Sequence, residues 1–236
     1  MRGTILSLVL ALAGGPALAA EERAAFDLVL RGLGAGSVAF AAVVDDDSYA
    51  VSGQLRTGGL VALVRRVRYD ATVQGAIRDG RFVPRRYTED ADTGRRQSRA
   101  VMDYRAGVPQ VKAYDPPREP RPYDVDPATM GGTVDPLTGL FATLRDVDPG
   151  QECRVDLQMF DGRRHTRIRT ADRAAEGDRV TCAGEYRRIA GYSAEDLAER
   201  TRFPFTLTYA PGAGGRMQVV EVAMETLYGR ARLIRR

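Results

Sequence analysis

Apolar and polar residues alternate with a period of two along most of this chain. Val67, Tyr69, Ala71, Val73, Gly75 and Ile77 share one side of an extended segment, and Arg66, Arg68, Asp70, Thr72, Gln74 and Arg78 share the other. The same stripe returns at Ala100, Met102, Tyr104; at Val155, Leu157, Met159; at Val180, Cys182, Gly184, Tyr186; at Phe205, Leu207, Tyr209; and at Leu227, Gly229, Ala231, Leu233. Such segments are half-buried antiparallel strands, and many of them at close spacing predict a sandwich or barrel. Asp79-Gly80 and Asp161-Gly162 fall between stripes, where Asp-Gly suits a tight hairpin turn. Asp45-Asp46-Asp47 and Gly212-Ala213-Gly214-Gly215 read as further hairpin tips.

Alternation persists from Ala62 to Ile77, which at about 3.3 Å per residue is too long for a flat strand in a compact domain. The expectation is therefore a bent strand, with Gly53, Gly75, Gly184 and Gly229 permitting bulges. A curved sheet has a concave apolar face that something must fill. Asp135-Pro136 is a helix start, and Leu137, Leu140, Phe141 and Leu144 follow at i, i+3, i+4 and i+7, while Gly139, Ala142 and Thr143 leave the opposite side weakly polar. The fold class expected is mainly β: a large curved antiparallel sheet, an open or partial barrel, wrapped around one central helix. Ser193-Ala194-Glu195-Asp196 resembles a capping box and predicts a short second helix, which Pro204 bars from continuing. The Pro-rich stretch 109–135 reads as a long loop within a single domain, 20–236.

At the amino terminus Arg2, the apolar run Ile5 to Ala13 and the Ala17-Leu18-Ala19 pattern read as a signal peptide, residues 1–19, that directs the chain to the periplasm. The run is too short to span a bilayer, and no later segment is long and apolar enough to do so. In an oxidising compartment Cys153 and Cys182 read as one disulfide. A metal site or catalytic thiol is the competing reading, but there is no C-x-x-C pair and His165 is the single histidine. No metal or cofactor is expected.

The formal charge is +4, and Lys112 is the one basic residue that is not arginine. Clusters such as Arg65-Arg66-Arg68, Arg85-Arg86, Arg95-Arg96-Arg99 and Arg163-Arg164 could meet anionic lipid, yet their spread along the chain favours the solvated faces of strands. Nucleic acid is not expected, since the chain reads as exported and carries no aromatic-basic motif. As chemistry, His165 lacks an evident partner, Ser193 lacks a nucleophile elbow, and Asp45-Asp46-Asp47 lacks the alternating ligands of a calcium loop. Asp124, Asp126 and Asp135 could form paired carboxylates for glycan chemistry only if folding brought them together.

Tyr69-Asp70-Ala71-Thr72, Phe82-Val83-Pro84-Arg85-Arg86-Tyr87, Pro116-Pro117, and Asp126-Pro127 through Gly131-Gly132-Thr133-Val134-Asp135-Pro136-Leu137-Thr138 together resemble the bacterial domain of unknown function 3108. Cys153 through Phe160-Asp161-Gly162-Arg163-Arg164 to Cys182 and Gly191-Tyr192 extends the likeness over most of the exported chain. The resemblance implies an envelope protein with a fold similar to the lipoprotein carrier and sorting factors, and brings no catalytic residues with it. The function expected is a non-enzymatic binder of a lipid, acyl chain or lipoprotein in envelope maintenance. Leu137, Leu140, Phe141 and Leu144 would line a groove floor, and Tyr69 and Val73 its wall. Docking of envelope proteins through the Pro-rich loop is the alternative, and an enzyme acting on glycans or peptidoglycan the third.

Overall fold

The computed structural model describes residues 20–59, 62 and 66–236, so the signal-peptide expectation lies outside the described residues. The first half of the chain gives strands β1 (Ala20–Leu30), β2 (Leu33–Val44), β3 (Ser48–Thr57), β4 (Arg68–Arg78), β5 (Arg81–Asp92), β6 (Gln97–Arg105) and β7 (Val108–Asp115). After helix α1 (Pro136–Leu144) come β8 (Asp156–Phe160), β9 (His165–Glu176) and β10 (Arg179–Ala190). Helix α2 (Ala194–Glu199) precedes β11 (Arg202–Pro211), β12 (Met217–Thr226) and β13 (Gly229–Arg235). All thirteen strands join one antiparallel sheet, ordered from β7 to β1, across to β13, and on to β8. The result is a mainly β, nearly closed, barrel-like sheet with two α-helices among the described residues.

Local chemistry accounts for the turns. Asp79 (φ 50°) and Gly80 (φ 71°) take the two left-handed positions of the β4–β5 hairpin. At Gly75 the β4–β5 register shifts, and a Cβ there would come within 2.5 Å of the Val83 carbonyl. Asp135 caps α1 with Pro136 in its first turn, and Ser193 and Asp196 close a reciprocal capping box on α2.

Two expectations need correcting. The long bent strand does not form: β4 begins at Arg68, Ala62 lies in a helical turn started by Gly58, and the curvature comes from many strands of ordinary length. Nor does the loop begin at Pro109. That residue pairs with Tyr104 inside β7, which is an end strand of the sheet, where a missing N–H donor is tolerated.

The irregular segment that follows β7 fills the seam between the two end strands. On the β7 side Arg118 stacks on Tyr114, 3.8 Å from the ring centroid, and the Gly132 N–H donates to the Gly107 carbonyl. On the β8 side Arg163 grips Asp124 with two hydrogen bonds of 2.8 and 2.6 Å, and Val134 exchanges backbone hydrogen bonds with Gln158 and Phe160. Exposed strand edges invite pairing with other chains, and on the β8 side this segment occupies the edge through Val134.

The core is continuous, built from residues such as Phe26, Phe40, Phe141, Phe160, Leu207 and Tyr209. α1 packs on β3, β4 and β8, and its Phe141, fully buried, meets Phe40 and Phe82 edge-on with centroids at 5.4 and 5.7 Å. The Cys153–Cys182 disulfide is present and ties the segment before β8 to β10.

Candidate functional cleft at the end of α1

The residues expected to line a groove separate into three groups. Leu137, Phe141 and Leu144 of α1 and Val73 of β4 are buried in the core cluster. Leu140 is half-buried against that cluster, and Tyr69 is half-buried outside it. The residues weighed for chemistry have separate local tasks. Asp124 pairs with Arg163, Asp126 caps a 3-10 turn at Pro127–Thr129, Asp135 caps α1, and His165 shares a 2.6 Å hydrogen bond with Gln158. Among the described residues no group of three or more His, Cys, Asp and Glu could hold a metal ion.

Asp135 is fully buried. Its carboxylate accepts the Thr138 N–H at 2.9 Å and the Thr138 hydroxyl at 2.6 Å, and that hydroxyl bonds the Tyr49 hydroxyl at 2.9 Å. Burial outweighs these donors and pushes its pKa from 3.8 up to about 6. An acid held this way binds its proton more tightly folded than unfolded. The stability it confers is therefore complete below about pH 4 and lost as pH rises through about 6. Asp135→Asn keeps an acceptor for the Thr138 N–H. It should flatten the fall in stability between about pH 4 and 7 by roughly 2 kcal/mol relative to wild type, read from urea unfolding across that range. Parallel profiles for the two proteins would show that Asp135 ionises normally.

A half-open cleft of about 640 Å³ lies where α1 ends. Its surface is more polar than apolar; the apolar part comes from Phe82 just after the β4–β5 turn, Ala142 on the weakly polar side of α1, Val147, Leu157 of β8 and Tyr209 of β11. Arg81, Arg145, Arg154 and Arg216 bring charge to the same space, with Asp148 and Asp156. Behind it Asp146 organises the wall: its carboxylate takes Arg235 at 2.8 Å and Gln218 at 2.9 Å, its N–H donates to Glu22 at 2.6 Å, and its carbonyl accepts from Arg216. Burial raises the Glu22 pKa and lowers that of Arg145. None of the four arginines belongs to a basic cluster in the sequence. Arg145 and Arg154 share the segment between α1 and β8, and the sheet brings Arg81 and Arg216 to them from far along the chain.

On the outer face several arginines are paired across strands. Arg56, Asp70, Arg68, Asp90 and Arg99 form a continuous ladder from β3 to β6, and Arg232 grips Glu221 with bonds of 2.8 and 2.7 Å. Hydrogen bonds from Arg56 and Arg68 hold the Asp70 and Asp90 carboxyls, respectively, below their usual range.

A family model described as a protein of unknown function, DUF3108, matches residues 25–230. No curated protein matches the chain. Among solved structures, a β-barrel-like protein of domain of unknown function DUF1849 from Brucella abortus is similar at 12% identity and a TM-score of 0.49, over 91% of this chain and 94% of that one.

Proposed function

The chain belongs to the DUF3108 family, and from that premise we propose that it is an exported, non-enzymatic binder that takes an apolar chain into the cleft at the end of α1. The sheet curls round α1 as a scaffold, with Leu137, Phe141 and Leu144 as the packed floor and Ala142 as the part of the helix that meets the guest. The observation that carries the reading is the cleft itself, whose volume of about 640 Å³ lies in the range of small-molecule sites. A lipid, an acyl chain or a lipoprotein's acyl group is the occupant, and the cell envelope the setting. The disulfide supports export, since such bonds persist in oxidising compartments. Part of the Pro-rich segment is engaged with the β8 end of the sheet through Asp124 and Val134, which favours the cleft as the binding surface.

A fluorescent fatty acid should bind the purified protein saturably. Ala142→Trp, which puts an indole into the cleft, should weaken that binding at least roughly tenfold while the melting temperature moves by only a few degrees. Absence of binding by the wild type, together with no lipid in mass spectra of protein taken from its native periplasm, would remove the reading.

A further inference from the structure

Unlike the laddered arginines of the outer face, those of the cleft are short of partners. The Arg145 guanidinium stacks over Phe82, 5.4 Å from the ring centroid, and makes no hydrogen bond or ion pair among the described residues. Arg81 and Arg154 have no carboxylate partner among the described residues either. Arg216 spends one nitrogen on the Asp146 carbonyl, and its buried Nε has no hydrogen bond, with Asp148 at 3.9 Å. The acidic groups nearby are largely engaged or solvated: Asp156 is held by Arg167 through bonds of 2.7 and 2.5 Å, Glu22 accepts from Asp146, and Asp148 is exposed. Burial is the main cost of keeping Arg145 charged; Glu22 offsets part of it from a distance and the positive charge of Arg216 adds to it. The carbonyls at the end of α1 favour a cation there, which helps to explain why it is tolerated.

A half-buried guanidinium that no carboxylate touches, with only the longer-range charge of Glu22 and Asp148 to offset it and three more arginines in the same concave site, is an incomplete arrangement. It is completed by an anion brought from outside, because the planar fork matches carboxylate and phosphate oxygens two at a time. We infer that Arg145, with Arg154 and Arg216 at the rim, recognises the anionic head group of the bound ligand, a carboxylate or a phosphate ester. This rests on the cleft being the ligand site, and makes the ligand an anionic amphiphile whose chain lies along Phe82, Ala142 and Leu157.

The test is calorimetric titration of the full exported chain with dodecyl phosphate, 1-monolauroylglycerol and inorganic phosphate, each chain compound below its micellar concentration. Dodecyl phosphate should bind at least roughly tenfold more tightly than the neutral ester. Arg145→Gln and Arg154→Gln together should erase that preference, bringing the two chain compounds to affinities within about twofold of each other. Arg154→Gln alone, at an exposed position, should reduce it in part and serves if the double variant folds poorly. Equal binding of phosphate and neutral ester overturns the head-group assignment and leaves the apolar reading intact. Inorganic phosphate binding as tightly as dodecyl phosphate, with no binding of the neutral ester, keeps the anion site and overturns the apolar reading. No binding of any probe overturns both.

Discussion

Phe141→Ala should destabilise the protein by about 3–5 kcal/mol, the range for truncating a buried aromatic residue. The ring is fully buried and is the point where α1 meets β2 and β5, through Phe40 and Phe82. Truncation removes its transfer free energy and also opens a hole that neighbouring strands, held by ladders on both sides, cannot collapse to fill. In a domain of this size that loss should lower the melting temperature by roughly 10 °C. Phe141→Leu, which keeps most of the volume, should cost less than half as much. Calorimetry giving a loss below about 1 kcal/mol for the alanine variant would show that α1 is not an integral part of the core.

The second large effect is on the covalent link. Cys153 and Cys182 close a loop with a sequence separation of 29, for which restriction of the unfolded chain contributes about 3.5 kcal/mol. Replacing both by alanine should therefore lower the unfolding midpoint in urea and steepen the denaturant dependence, because the unlinked chain exposes more surface when unfolded. The loss should appear mainly in faster opening around β8, the short end strand that this bond anchors to β10. Cys182 is fully buried, so serine there would add an unsatisfied hydroxyl; alanine isolates the link more cleanly. Intact mass without reductant should already show the pair joined. Two free thiols would contradict the link and count against the proposed export.

Several elements could be read from residues because their causes are local. The Asp79-Gly80 turn needs only left-handed backbone, α2 needs only its capping box, and α1 needs only a cap, a proline and one apolar stripe. The start of β4 could not be read, because alternation runs on upstream of Arg68 and nothing local marks where pairing with β3 begins. Pro109 looked like a breaker, and its place on a sheet edge is a tertiary fact. The cleft was hidden for the same reason. The apolar stripe of α1 pointed to Leu137 and Phe141, which serve the core, whereas Ala142 and the isolated Arg81, Arg145, Arg154 and Arg216 acquire meaning only from strands remote in sequence.

The order of the sheet also bears on how the chain assembles. Every ladder except one joins strands adjacent in sequence, giving a seven-strand meander, β1–β7, and a six-strand meander, β8–β13. Only β1 and β13 must find each other from opposite ends of the chain, Phe26 opposite Arg235. The entropic cost of long-range closure is thus concentrated in a single zipper, while each half can grow from its own hairpins. Two locally folding ribbons, stitched once between β1 and β13, make that single seam the step whose completion joins the sheet.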